Sequence, residues 1–277
     1  MKERTLKRRI QGMPASDGAG VRLNRVIGTP ALRNLDPFLM LDEFKSDSPD
    51  DYIAGFPAHP HRGFETVTYM LAGQMEHRDH LDNVGRLEAG GAQWMTAGRG
   101  IIHSEMPKQE QGLMWGFQLW INLPAAEKMQ PARYRDLAPG DIAEATDGQG
   151  VLRRIIAGES LGVRGPVGGI SVDPLMVDLR MPAGTTLEHP VAAGHQAFVY
   201  VYRGAVRLGG EPLQAGELGV LSDGDGIHLS AAEDSGVLLL AARPIGEPVV
   251  QYGPFVMNSS EEIEQALRDY RDDRLTD

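Results

Sequence analysis

The chain has 277 residues, a formal net charge of −11 at pH 7, 42% apolar residues and no cysteine. That length suits two domains of ordinary size or one large β domain, with enough apolar material to bury a core. The acidic balance speaks against direct contact with nucleic acid or an anionic membrane. The lack of thiols excludes disulfides and thiolate metal sites, so any metal must be held by nitrogen and oxygen.

Residues 1–18 hold no apolar stretch of the signal-peptide kind, and the basic run Lys7, Arg8, Arg9 is too short to outweigh the acidic remainder. No segment approaches the roughly 20 apolar residues of a membrane span. A cytoplasmic protein is expected. The 34 glycines and 18 prolines end strands and build turns, which favours an all-β fold.

Residues 56–70 read FPAHPHRGFETVTYM. In a strand, residues of equal parity share a face. His59 and His61 then lie on one side, about 6–7 Å apart by strand rise. Pro60 cannot donate to a ladder, so the pair belongs at a strand start or a sheet edge. After the strand-like TVTYMLAG and QWMTAG comes GRGIIHSEMP, where His103 and Glu105 are again two residues apart. Three imidazoles and a carboxylate make an N/O donor set for one first-row divalent metal, with positions left open for water or substrate.

In residues 114–122, Trp115, Phe117, Leu119 and Ile121 share the parity of a strongly buried strand face. Residues 129–150 are polar and rich in Pro, Gly and Asp, and read as a boundary near residue 140. Domains over 1–140 and 141–277 are expected. The second half repeats the style of the first. FETVTYMLAGQMEH and QAFVYVYRGAVRLG are each a strand, a glycine turn (Gly73, Gly204) and a second strand, which suggests two copies of one β unit. His189, His195 and His228 form no His-x-His or His-x-Glu pair and are read as surface or turn residues. The segment SDGDGIHL is read as a turn, because it lacks the ligand spacing of a calcium loop. Near the end, Asn258, Ser259 or Ser260 can cap a helix, Ser259 and Glu262 have capping-box spacing, and Ile263, Ala266, Leu267 and Tyr270 share a face.

HPHRGFETVTYMLAG followed by QWMTAGRGIIHSEMP resembles the pirin family of the cupin superfamily. LRNLDPFLMLDEF, GLMWGFQLWINLP and GEPVVQYGPFVMNSSEEI resemble the same family, so the likeness runs over nearly the whole chain. It implies a bicupin: two cupin-type β-barrel or jelly-roll domains with a C-terminal amphipathic helix, metal in the first and none in the second. It implies His59, His61, His103 and Glu105 as ligands of one ion, Fe(II) foremost, with Mn, Ni, Cu, Co or Zn as the alternatives. Cupins in general often take the carboxylate from the first motif, here Glu65, whose parity would face it the same way, so Glu65 is the alternative ligand or an outer group. The activity implied is that of a quercetin 2,3-dioxygenase, cleaving flavonols with O₂, with Glu105 taking the substrate's hydroxyl proton. Phe56 and Met106 are the apolar residues expected at the mouth. The family also suggests a regulatory protein that binds protein partners through a redox-sensing iron, and a monomer.

Overall fold

The computed structural model describes residues 2–277. Its regular structure is almost entirely antiparallel β, grouped in two compact units. The first unit comprises Pro14–Gly28, Phe38–Gly140 and Ile245–Asp277, and the second comprises residues up to Met13, Thr29–Pro37 and Asp141–Pro244. Each has a seven-stranded and a four-stranded sheet, the two-sheet arrangement of a cupin jelly roll with added strands.

The termini therefore depart from the expected division at residue 140. Leu6–Gln11 is the edge strand of the second unit's large sheet, paired with Glu217–Leu221. Its side chains are mostly exposed, and backbone hydrogen bonds that carry no sequence signature hold it there. The Ser260–Arg271 helix belongs to the first unit. Ile263 and Ala266 are buried in a cluster with Phe255, Met257 and Leu275, against which Ile102 packs. Leu267 and Tyr270 stay substantially exposed, so the apolar stripe is narrower than its spacing suggests. Ser259 is the N-cap and both capping-box hydrogen bonds form: Glu262 N–H to Ser259 Oγ at 3.2 Å, and Ser259 N–H to Glu262 Oε2 at 2.9 Å. Arg62, buried, ties this end down through Asp269 at 2.7 Å and the Leu275 carbonyl at 3.0 Å.

The polar stretch near 140 is not a bare linker. Arg133–Leu137 closes an edge of the first unit's large sheet, and Ala143–Thr146 closes an edge of the second's. Exposed edge strands tolerate polar sequence, which hides them from a hydrophobicity reading.

Two features of the first unit place its polar side chains. Its small sheet runs in the order Phe56–His61, Ile101–Pro107, Met75–Asp79, Val84–Leu87, which puts Pro60 on an edge strand. Its large sheet is centred on Phe64–Ala72 and Met114–Asn122. In Met114–Asn122 the odd parity of Phe117, Leu119 and Ile121 is fully buried. The even parity, Gln118, Trp120 and Asn122, lines up with Thr68, Thr66 and Phe64 on the neighbouring strand.

Candidate metal centre

Strand register brings the histidines together. His103 pairs with His59 across the edge of the small sheet, and Ile101 pairs with His61. The Nε2 atoms of His59 and His61 are 3.0 Å apart, and those of His103 and His59 are 2.9 Å apart. His61 and His103 are buried, while His59 is partly open. Among the described residues, these three are the group whose ligand atoms all lie within 4.8 Å of one another.

Protonation follows from the neighbours. His59 Nδ1 lies 2.8 Å from the Pro57 carbonyl, which can only accept, so Nδ1 is a donor and Nε2 is the nitrogen turned towards His61 and His103. Burial pushes His61 well below the usual histidine range, reinforced by His59. Burial does the same to His103, reinforced by His61 and His59. Both are neutral imidazoles at neutral pH. Nitrogens about 2.1 Å from one ion and at right angles to each other are about 3 Å apart. The observed spacings match that, so the donor set fits a divalent cation.

Glu105 lies outside this group. It is buried and on the same strand face as His103, but its Oε1 accepts a hydrogen bond from Thr68 Oγ1 at 2.8 Å. The ladder also slips between His103 and Glu105, which shifts the carboxylate relative to the edge strand that carries His59 and His61. Thr68 Oγ1 is 2.7 Å from the Gln118 side-chain carboxamide as well. That contact is to Gln118 Oε1, so the one hydroxyl proton of Thr68 faces two acceptor oxygens.

Glu65 belongs to another place. The parity expectation assumed an unbroken strand from His61, but the small sheet's strand ends there and a new strand begins at Phe64 in the large sheet. Gly63 makes the turn at φ 93°, where an added Cβ would sit 2.0 Å from the Val256 carbonyl oxygen. This break resets the parity. Glu65 and Thr68 then point to opposite faces of the large sheet. Glu65 accepts from Thr96 Oγ1 at 2.6 Å and from Trp94 Nε1 at 3.1 Å, and burial raises its pKa.

Of the two apolar expectations, Phe56 pairs with Glu105 across the ladder and packs against the cluster of Val21, Phe44 and Met70. Met106 has the parity opposite to Glu105, so it sits on the other face of its strand. The aromatic wall of the site is instead Phe64 and Trp120, 4.3 Å apart, with His61 set edge-on at 5.1 and 5.2 Å. The even parity of residues 118–122 was the available signal. Beyond His103 lies His77, whose Nδ1 is 3.2 Å from His103 Nδ1. In the second unit His189 is buried and not at the surface, with Nε2 2.9 Å from Ser160 Oγ and Nδ1 2.6 Å from the Pro190 carbonyl.

The family model for pirin matches residues 20–121, and that for the pirin C-terminal cupin domain matches residues 176–276. The chain belongs to the pirin family. It is 53% identical over 268 residues to a Pseudomonas aeruginosa protein named "putative quercetin 2,3-dioxygenase", covering 94% of each. Human pirin is 42% identical over 263 residues, covering 92% of this chain and 88% of its own. The crystal structure of a quercetin 2,3-dioxygenase from Acinetobacter baumannii superimposes with a TM-score of 0.92 at 33% identity, covering 99% of this chain and 98% of the other. The bicupin architecture implied by the resemblance is thus the architecture of the chain. Among the described residues no helix is long and apolar enough to cross a membrane.

Proposed function

We propose that this pirin-family chain is a metal-dependent dioxygenase that cleaves flavonols such as quercetin with O₂. The observation that carries this reading is the convergence of the His59, His61 and His103 Nε2 atoms beside the buried Glu105 carboxylate. The three imidazoles would hold one divalent ion, Fe(II) foremost, with Mn, Ni, Co, Cu and Zn compatible with the same donors. Such an ion, when bound, acidifies a substrate hydroxyl and brings one-electron chemistry within reach of O₂. Glu105, outside the three-nitrogen group but on the His103 face of its strand, would be the base for that hydroxyl proton and, in turn, a carboxylate ligand of the ion. Thr68 holds Oε1 of that carboxylate in place. Trp120, partly exposed and backed by the buried Phe64 ring, offers flat aromatic surface beside His61 for a flat substrate. All of these residues come from one unit, so a monomer suffices.

The relatives named for quercetin 2,3-dioxygenase support this reading. A bacterial pirin of the same fold from Escherichia coli has been crystallised with nickel(II). The test is elemental analysis of protein purified without added metal or chelator, followed by O₂ uptake and carbon monoxide release with quercetin. About one ion per chain and O₂ uptake lost in His61→Ala are expected. Iron-loaded protein that consumes no O₂ with any flavonol would overturn the enzymatic reading and favour a redox-sensing binding protein.

A further inference from the structure

A three-imidazole centre works only if each ring bares its Nε2, and the tautomer of each ring is set by what its other nitrogen meets. For His59 that partner is the Pro57 carbonyl. For His103 the hydrogen-bond partner at Nδ1 is another histidine, His77, at 3.2 Å.

We propose that His77 is a positioning residue for the centre: its bare Nδ1 accepts the Nδ1–H of His103 and leaves the Nε2 lone pair of His103 aimed between His59 and His61. This rests on the metal reading of the site. His77 is 2% exposed, and its ring is wedged between His103, at 4.8 Å, and Tyr134, at 4.6 Å. A neutral imidazole with one bare nitrogen carries its proton on the other. In His77 that nitrogen is Nε2, which is buried and has no hydrogen-bond partner. The Tyr134 ring lies against it, tilted by 64°. With no ion, His103 can instead carry its proton on Nε2 and give it to His59, while His77 donates to His103 Nδ1. An ion held at His103 Nε2 would select the arrangement in which His103 donates to His77.

The second unit supplies a control. Glu105 pairs with His77 across the small sheet, and Leu229 pairs with Leu208 in the matching ladder. His103 pairs with His59, and Ile227 pairs with His189. So where isoleucine takes the place of His103, leucine takes the place of His77. The frame accommodates an aliphatic residue there, and an acceptor is present where an imidazole faces it.

The test compares His77→Leu, which keeps bulk and removes the acceptor, with His77→Asn, which returns an oxygen near the Nδ1 position. Ni²⁺ and Zn²⁺ affinities of the full chain are measured by chelator competition. His77→Leu should bind about 10–100-fold more weakly and His77→Asn within about threefold of the original chain. Equal affinity in His77→Leu, or an equal loss in both variants, overturns the proposal. An original chain that binds neither ion removes the metal reading and this inference with it. Should His77→Leu fail to fold, side-chain ¹⁵N spectra of the unmutated Zn²⁺ form decide. A protonated His103 Nδ1 facing a bare His77 Nδ1 is expected, and a bare His103 Nδ1 overturns the proposal.

Discussion

The His59–Pro60–His61 stretch of the first unit has its counterpart in His189–Pro190–Val191 of the second. The ladders fix the match, since Ile102 pairs with Pro60 as Gly226 pairs with Pro190. Thr68 pairs with Gln118 in the first unit, and Val199 pairs with Leu239 in the second. Positions that hold imidazole, carboxylate, hydroxyl and amide in one unit thus hold Val191, Ile227, Leu229, Val199 and Leu239 in the other, all in one continuous apolar core. Backbone ladders set the frame, and side chains decide whether its interior is a site or a core. Filling it with aliphatics contributes about 1.5–3 kcal/mol per buried Val, Leu or Ile, stabilisation that the polar interior forgoes. The first unit is therefore the one whose stability should respond to metal.

The largest expected effect breaks the comparison from the polar side. His61→Ala removes one of the three converging Nε2 atoms and places a small apolar residue where the second unit has Val191. Metal retention and any flavonol cleavage should vanish, while the second unit stays folded. Elemental analysis and circular dichroism of the purified variant check this, and full metal content would refute the ligand assignment. Next in size is Leu239→Ala, which opens a cavity at a fully buried position of the second core. A loss of about 2–5 kcal/mol is expected in urea melts. Metal content per folded chain should be unchanged, because Leu239 stands where the first unit has Gln118.

Much of this contrast can be read from the chain. The spacing of His59, His61 and His103 and the paired turns at Gly73 and Gly204 are local patterns, and local patterns survive in a linear reading. The parity of Glu65 misled because a turn at Gly63 moves the chain from one sheet to another, and parity holds only within a strand. The Leu6–Gln11 edge strand and the helix's place in the first unit depend on long-range pairing that no local pattern encodes. His77 was hidden for another reason. Nothing in EHRD marks it, and only the pairing with Glu105 and the 3.2 Å approach to His103 give it a role. His189 was open to detection through the repeated His-Pro dipeptide.

His189 yields the third effect, which sharpens the comparison because it is the one imidazole kept at a matching position. Burial lowers its pKa from 6.5 to about 4, against the Pro190 carbonyl that favours the proton, with Arg153 adding to the fall. Above pH 6.5 the ring is neutral in both folded and unfolded chains, and its contribution is whole. As pH falls from 6.5 towards 4 the unfolded chain takes up a proton that the folded ring refuses, so stability drops. Below about 4 both states are protonated and the loss levels off, at no more than about 3.5 kcal/mol. Urea melts at several pH values, with His189→Leu subtracted from the original chain, isolate this slope. A difference that does not change between pH 7 and pH 4 would show that the ring is not held neutral by burial.

The smallest effect separates two glutamates that a linear reading leaves as alternatives. Glu65 accepts from Thr96 and Trp94 on the face of the large sheet opposite Thr68, whereas Glu105 accepts from Thr68 itself. Glu65→Gln keeps one acceptor oxygen and turns an NH₂ group towards one of the two donors. One buried donor then goes unmet, at a cost of about 1–3 kcal/mol. Thermal melting should register that cost while metal content and O₂ uptake with quercetin hold. Glu105→Gln should do the converse. It keeps an acceptor for Thr68 and so leaves melting nearly unchanged, but it removes the base and slows O₂ uptake. Metal loss in Glu65→Gln would mean that the polarity of the first unit acts through its large sheet as a whole and not through one face of it.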